Sequence, residues 1–320
     1  MNINEKILLI DTSIGTSNIG DQIIMDSINS KINRISKNKT IFRISSHQKP
    51  GFNGKRLIKN SSYQFICGTN LLGSSFLKRD QLRIGLLESG LSKNFILLGV
   101  GWRQYINKIN YFNKFKIKSL INKNNIHSVR DEFTKKNLEK LGFDNVLNTC
   151  CPTTWNLTNE HMLSINFKKK EKVIFTLTDY NKNIDLDKKL IEILSRNYQE
   201  LYFWEQGLKD LQYLKSLNLK KVKNIKIVQP NLGELDKLLT NEKIDYIGTR
   251  LHAGIRALQK KQRSIIVSID NRAKEISSDI DLKIIERKNI DSLESFIYDE
   301  NSYILKIPFK EIEKWLNFYT

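Results

Sequence analysis

The feature that most constrains the fold is a regular alternation of short apolar runs with longer segments of helical pattern along almost the whole chain. The runs KILLI, IFRIS, YQFICG, FILLGVG and IHSVR predict strands in the first half, and KVIFTLT, LYFWEQG, IKIVQP, IDYIG and RSIIVSID predict them in the second. Strands that alternate with helices build parallel sheets, because each crossover returns the chain in the same direction. The sequence therefore predicts an α/β protein.

The alternation lapses once, in a polar stretch near the middle of the 320 residues. A chain of this length exceeds the usual size of one core, so two domains are expected. We predict two Rossmann-like domains, residues 1–155 and 173–320, joined by residues 156–172, with a terminal helix at 308–320 in the second. Because such sheets bind ligands beyond the carboxyl ends of their strands, the domains are expected to face a cleft.

Composition excludes several classes of protein. No apolar run is long enough to cross a bilayer, and the first residues lack the pattern of a secretory signal, so a cytoplasmic location is expected. The cysteines, Cys67, Cys150 and Cys151, include an adjacent pair and show no spacing for zinc. The sequence therefore predicts neither a disulfide framework nor a metal site.

The charge is strongly positive, with 53 Lys and Arg against 34 Asp and Glu and a formal net charge of +19. Such a field attracts polyanions, anionic lipid surfaces or phosphorylated small molecules. No helix-turn-helix, zinc or RNA-recognition pattern accompanies it, so nucleic acid is not an expected partner.

An arginine and a histidine mark one strand-to-helix switch. In the stretch YIGTRLHAGIRALQ, IDYIG predicts a strand and the helix is expected to begin near Leu251, which puts Arg250 and His252 at the helix N-terminus. Unpaired N–H groups and the helix dipole favour an anion there. The structural alternative is that Arg250 pairs with a nearby carboxylate and His252 only occupies the first turn.

The next predicted strand ends in SIDNRAKEI, and consecutive parallel strands usually bring their carboxyl ends to one edge of the sheet. Arg272 and Lys274 are therefore expected near Arg250. Together they predict a site for a phosphate or carboxylate.

The first predicted strand is followed by DTSIGTSNIGDQII, which places Asn18, Gly20 and Asp21 before a helix. The spacing of the glycines is that of a P-loop, but Asp21 stands where a P-loop has its lysine, so ATP binding of that type is not expected. A loop that holds a ligand is predicted. The alternative role for Asp21 is a helix N-cap.

Several stretches, in order along the chain, resemble the polysaccharide pyruvyl transferase family. They are TSNIGDQII, GTNLL, SVRDEFTKKNLEKLGF, CPTTW, YFWEQGLKD and GTRLHAGIRAL. The resemblance implies two Rossmann-like domains of the GT-B kind and transfer of pyruvate from phosphoenolpyruvate to a sugar as a ketal. It implies no metal or other cofactor, and the sugar acceptor is expected on a lipid diphosphate or a nucleotide, with peripheral contact to the membrane.

The same resemblance implies roles for single residues. His252 is the predicted acid–base catalyst and Asp21 a second candidate, while Arg250, Arg272 and Lys274 are expected to bind phosphoenolpyruvate. Residues expected to bind the acceptor or line the cleft are Asn18, Gly20, Asn70, Arg130, Trp204 and Glu205.

Some of these residues have a structural alternative. Arg130 could be the partner of Asp131 at a helix N-cap, and Trp204 could simply be packed in the core. Two positions depart from the family pattern: Arg272 stands where many members have lysine, and Thr69 where many have glycine.

Two other functions stay open at the level of sequence. A GT-B glycosyltransferase that uses a nucleotide sugar would need the same fold and the same cationic edge. A noncatalytic protein that binds carbohydrate or nucleic acid has only the positive charge in its favour.

Overall fold

The computed structural model describes residues 5–73, 82–92, 94–103, 109, 111–219, 222 and 224–320. It confirms the predicted α/β class, since the two larger sheets are parallel and alternate with helices. The chain divides into two compact units. The first is formed by Met1–Thr16, Ile24–Trp155 and Ile307–Thr320, and the second by Ser17–Ile23 and Asn156–Lys306.

The described part of the first unit contains six strands: β1 (Lys6–Asp11), β2 (Thr40–Ser45), β3 (Tyr63–Cys67), β4 (Phe95–Leu98), β5 (His127–Val129) and β6 (Val146–Asn148). The first four form a parallel sheet with the order β2-β1-β3-β4, and β5 pairs with β6. The apolar run of β1 is buried from Ile7 to Ile10, as expected for a strand inside a parallel sheet. The helices between these strands are α1 (Gly20–Ile35), α2 (Phe52–Asn60), α3 (Leu86–Ser89), α4 (Tyr111–Leu120) and α5 (Glu132–Glu139).

The described part of the second unit also contains six strands: β7 (Lys172–Thr176), β8 (Glu200–Trp204), β9 (Ile225–Val228), β10 (Ile244–Gly248), β11 (Ser264–Ser268) and β12 (Ile284–Glu286). They form one parallel sheet with the order β12-β11-β10-β7-β8-β9. This is the doubly wound Rossmann order, whose direction reverses between β7 and β10. Ligands bind such sheets beyond the carboxyl ends of the strands at this reversal.

The remaining helices are α6 (Asn159–Leu163), α7 (Ile184–Asn197), α8 (Asp210–Ser216), α9 (Leu232–Asn241), α10 (Leu251–Gln259), α11 (Asn271–Ile280), α12 (Leu293–Tyr298) and α13 (Phe309–Tyr319). Within the described ranges, no helix is both long enough and apolar enough to cross a membrane.

The terminal helix α13 belongs to the first unit, whereas the sequence placed residues 308–320 in the second domain. The indole Nε1 of Trp315 and the hydroxyl of Tyr319 both donate to the carbonyl oxygen of Ile126, over 3.0 and 2.7 Å. The buried positions of α13 have helical spacing; they are Ile312, Trp315, Leu316 and Tyr319. An apolar helix face fits either core, so its spacing alone does not reveal which sheet it covers.

Two further segments differ from the predicted division. Residues 17–23 group with the second unit, because the N–H of Ile19 donates to the carbonyl oxygen of Gln206 (2.8 Å) and that of Leu208 to Ser17 (3.1 Å). Residues 156–172, predicted as a connection, are also part of the second unit and contain α6.

His127 on β5 makes the stability of the fold depend on pH. The ring is fully buried, accepts from the N–H of Leu97 at Nδ1 (3.2 Å) and donates from Nε2 to the carbonyl oxygen of Asn122 (2.8 Å). Burial lowers the pKa of His127 from 6.5 to about 4, although the Asn122 carbonyl opposes this. The unfolded chain takes up the proton at a higher pH than the folded one. The free energy of unfolding therefore decreases as the pH falls from 6.5 to about 4.

We expect that acidification from pH 7 to about 4.5 costs about 2.5 kcal/mol through His127 alone. His127→Gln lacks the titrating imidazole. Between the two pH values, its free energy of unfolding, measured in urea, should therefore fall by about 2.5 kcal/mol less than that of the unsubstituted protein. An equal loss in both proteins would show that His127 titrates normally in the fold.

Candidate functional site

The candidate site lies at the carboxyl edge of the second unit's sheet, where the strand order reverses. Thr176 ends β7, and the N–H of Thr249, just beyond β10, donates to its carbonyl oxygen over 3.1 Å. The hydroxyls of Thr178 and Thr249 are also hydrogen-bonded, at 2.8 Å. The segments that follow the two strands are therefore held side by side.

Arg250 follows directly and is buried. Its Nε donates to Asp210 (2.9 Å) and to the carbonyl oxygen of Leu177 (3.1 Å), and its Nη2 donates to Asp179 (3.1 Å) and Asp210. Nε and Nη2 of Arg250 are therefore paired with carboxylates, as the structural alternative for this residue predicts. Nη1 makes no hydrogen bond with any residue that the structure describes.

The partner of Arg250, Asp210, is a fully buried carboxylate at the start of α8. It also accepts from the backbone N–H groups of Gly207 (2.8 Å) and Asp179 (3.0 Å). A buried ion pair is stable only when its remaining lone pairs are satisfied in this way. Gly207 passes so close that a Cβ would lie 2.2 Å from Nη2 of Arg250, which explains the glycine.

Arg272 reaches the same edge from the first turn of α11. Its Nε and Nη2 donate to Asp270, over 3.0 and 2.6 Å, and Nη2 also donates to the hydroxyl of Tyr180. Like Arg250, it leaves Nη1 without a hydrogen bond to the described residues. The guanidinium carbons of Arg250 and Arg272 lie 5.1 and 5.7 Å from the centre of the Tyr180 ring, so one aromatic ring contacts both cations.

His252 lies in the first turn of α10 and is buried. It lines a cavity together with residues from β11, from the loops after β7, β8, β10 and β11, and from the first turns of α10 and α11; these are Tyr180, Gln206, Thr249, Arg250, Leu251, Val267, Ile269, Asp270, Arg272 and Ala273. The structure therefore brings together three of the predicted site residues, His252, Arg250 and Arg272, in one cavity.

The positive charge of the two arginines at this cavity is offset by carboxylates. Three carboxylates, Asp179, Asp210 and Asp270, accompany the two arginines. An anion here would be held by directed N–H groups rather than by net charge. The available donors are the two Nη1 atoms and the N-termini of α10 and α11, both of which line the cavity.

The first glycine-containing loop reaches the same region. Asn18 forms an antiparallel bridge with Gly207, and its Oδ1 accepts from Nε2 of Gln206 (2.8 Å) and from the N–H of Gly20 (3.2 Å). A Cβ on Gly20 would lie 2.7 Å from Nε2 of Gln206. Asp21 is buried in the first turn of α1, inside the helix rather than at its N-cap.

The lining of the cavity includes none of the other eight predicted site residues, which are Asn18, Gly20, Asp21, Lys274, Trp204, Glu205, Asn70 and Arg130. Lys274 is paired with Glu286 at 2.8 Å. Trp204 is fully buried and donates to the carbonyl oxygen of Asn231 (3.3 Å), and Glu205 accepts from the N–H of Leu211 (3.2 Å).

Asn70 and Arg130 belong to the first unit. Arg130 is buried and donates to Asp131 (2.9 Å), which caps α5, as in the structural alternative. Oδ1 of Asn70 is buried without a hydrogen-bond partner in the described ranges. The preceding Thr69 has a φ of 46°, a strained value for a β-branched residue, which explains why glycine is common here in the family that the sequence resembles.

Sequence reasoning missed the residues that contact the two arginines, and also Gln206, which lines the cavity. Tyr180 and Asp179 follow the strand KVIFTLT, and Gln206 and Asp210 follow LYFWEQG. The signal that could have found them is positional: β7 and β10 flank the reversal of strand order, so the loop after β7 belongs to the site.

The model of the polysaccharide pyruvyl transferase family matches residues 18–271, which is most of the chain. The chain belongs to this family. The match begins at Asn18 and includes Arg250 and His252, whereas Arg272 lies just beyond its end. No curated protein sequence matches this pyruvyl transferase family member closely enough to be counted as a relative.

Solved structures share the fold of this pyruvyl transferase family member at low identity. The UDP-GlcNAc 2-epimerase from Neisseria meningitidis bound to UDP-GlcNAc has a TM-score of 0.52 at 10% identity, over 98% of this chain and 99% of that one. The S. aureus MnaA structure with UDP has a TM-score of 0.53 at 10% identity, over 98% and 96% of the two chains. These neighbours are GT-B-type enzymes, which confirms the predicted fold class.

Proposed function

We propose that this chain transfers pyruvate from phosphoenolpyruvate to a sugar as a ketal, and that the cavity of the second unit is the donor site. The observation that supports this most directly is the cavity itself, in which His252 and two arginines lie at the N-termini of α10 and α11. Phosphoenolpyruvate carries a phosphate and a carboxylate. Nη1 of Arg250 and Nη1 of Arg272 offer one donor to each.

The chemistry requires two hydroxyls of one sugar and balanced proton transfers. C3 of phosphoenolpyruvate takes up a proton while the first hydroxyl adds to C2 and loses its proton. Phosphate then leaves, and the second hydroxyl adds to C2 and gives up a proton that departs with the phosphate. We assign these transfers to His252, with Asp21 as a second acid–base group or an anchor for sugar hydroxyls. This scheme needs no metal or other cofactor.

A nucleotide-sugar transferase is the second candidate. The epimerase and MnaA structures contain UDP-GlcNAc and UDP, and a helix N-terminus with an arginine also suits a diphosphate. The two candidates differ in the donor that the cavity should accept.

Thermal unfolding with each donor separates the two functions. At about one hundred times its dissociation constant a ligand stabilises the folded protein by about 2.7 kcal/mol. We expect phosphoenolpyruvate to raise the melting temperature and UDP-GlcNAc to leave it unchanged. Stabilisation by UDP-GlcNAc without any by phosphoenolpyruvate would contradict the proposed function.

A further inference from the structure

Gln206 has no role in the scheme above, although it lines the donor cavity. It is 3% exposed, and among the residues that the structure describes its side chain has one hydrogen-bond partner, Oδ1 of Asn18, to which Nε2 donates. Its carbonyl atom Oε1 is buried and has no hydrogen-bond partner in the part of the chain that the structure describes. A buried acceptor left in this state costs free energy, so a partner is expected when the site is filled.

The hydrogen bonds around Asn18 identify the oxygen and the nitrogen of the Gln206 side-chain amide. A backbone N–H can only donate, and that of Gly20 is directed at Oδ1 of Asn18. This atom is therefore the oxygen, and the atom of Gln206 that bonds to it must be the donor Nε2. The end of Gln206 without a partner is thus an acceptor and needs a donor.

Two other glutamines, the buried Gln64 and the half-buried Gln262, show what a purely structural amide does in this protein. Gln64 donates to the carbonyl oxygens of Ile58 and Ser61 and accepts from the hydroxyl of Ser92 (2.5 Å). In Gln262, too, both ends of the amide are hydrogen-bonded. In Gln206 one end of the amide is hydrogen-bonded to a described residue and the other is not. Backbone hydrogen bonds already hold its segment against residues 17–23.

We propose that Oε1 of Gln206 accepts a hydrogen bond from a hydroxyl of the acceptor sugar and so positions that sugar at the donor cavity. This inference rests on the proposed function. The fully ionised phosphate and carboxylate of phosphoenolpyruvate carry no donor and would be repelled by a carbonyl oxygen. A sugar hydroxyl, in contrast, donates.

The first test is donor binding, which does not depend on knowing the acceptor. Gln206→Met keeps the size of the side chain and removes the carbonyl. Phosphoenolpyruvate should raise the melting temperature of this variant at least as much as that of the unsubstituted protein. A clearly smaller rise would show that Gln206 binds the donor, and would overturn the proposal while leaving the proposed function in place.

The second test uses p-nitrophenyl glycosides of common hexoses and N-acetylhexosamines, with phosphate release from phosphoenolpyruvate as the readout. For the glycoside that is turned over fastest, Gln206→Met should raise the KM for the glycoside about tenfold and leave the KM for phosphoenolpyruvate unchanged. An unchanged glycoside KM would overturn the proposal. Lack of turnover together with lack of donor stabilisation would contradict the proposed function itself.

Monodeoxy analogues of that glycoside identify the hydroxyl. Removal of the hydroxyl that Gln206 binds should reduce kcat/KM about tenfold in the unsubstituted protein and have no effect in Gln206→Met. Gln206→Glu retains an acceptor oxygen, so the deoxy analogue should also have a reduced kcat/KM with this variant. Equal penalties in all three proteins for every analogue would rule out a contact with the sugar.

Gln262→Met is the matched control. It makes the same substitution at a half-buried, hydrogen-bonded amide of the second unit that lies outside the cavity. Its KM values for both substrates should equal those of the unsubstituted protein. A change in the glycoside KM of the control as large as that in Gln206→Met would assign the effect to general loosening of the unit.

Discussion

Replacement of His252 by alanine should reduce ketal formation about 100- to 10,000-fold, the usual contribution of one positioned acid–base group. The residue lies in the first turn of α10, beside Arg250 and in the same cavity as Arg272. Phosphate release from phosphoenolpyruvate plus a glycoside acceptor measures the loss. Stabilisation by phosphoenolpyruvate should survive, because the two arginines and the helix N-termini remain.

His161, on α6, provides a control because its ring contacts the same helix α10. Its ring is hydrogen-bonded to the carbonyl oxygen of Leu258 at 2.8 Å, near the opposite end of α10. His161→Ala therefore removes a histidine that contacts this helix without touching the cavity, and its kcat should stay within about twofold. Full activity of His252→Ala would remove His252 from the chemistry.

The edge of the sheet that carries the site was predictable from the sequence. The runs IDYIG and RSIIVSID identify consecutive strands, and right-handed crossovers bring their carboxyl ends together. This placed Arg250, His252 and Arg272 near one another, and the structure puts all three in one cavity. Local pattern was sufficient because each of these residues lies within one helical turn of the end of a strand.

The partners of these residues were not predictable in the same way. Asp210 is 40 positions from Arg250 in the chain, and Asp179 is 71 positions away. They meet Arg250 only because β7 lies beside β10, and β8 beside β7, in the Rossmann order. Hydrophobic periodicity carries no information about such long-range contacts, so the sequence left open whether Arg250 is paired with a carboxylate, and the structure shows that it is. Gln206 was missed for the same reason, since its contact with Asn18 joins segments 188 residues apart.

The largest effect on stability is expected at the Arg250–Asp210 pair. Arg250→Met should lower the free energy of unfolding by about 3–5 kcal/mol, because it leaves the fully buried carboxylate of Asp210 without its cation. Urea unfolding measures this loss. Arg250→Lys should also be costly, since an ammonium group cannot reproduce the contacts of Nε and Nη2 with both carboxylate oxygens.

A double substitution distinguishes the ion pair from the size of the side chain. In the presence of Asp210→Asn, Arg250→Met leaves no fully buried carboxylate unpaired, since Asp179, which also loses its cation, is partly exposed. Arg250→Met should therefore cost about 3 kcal/mol less in this background than it does alone. Strict additivity would mean that the pair contributes nothing beyond packing.

Arg263 separates stability from donor binding. It forms another buried pair with a single aspartate, Asp245, at the amino end of β11, and lies outside the donor cavity. Arg263→Met should therefore lose a similar free energy of unfolding yet keep the stabilisation by phosphoenolpyruvate, whereas Arg250→Met should lose both. If the two variants bind the donor equally well, Arg250 has only a structural role, and its Nη1 does not bind phosphoenolpyruvate.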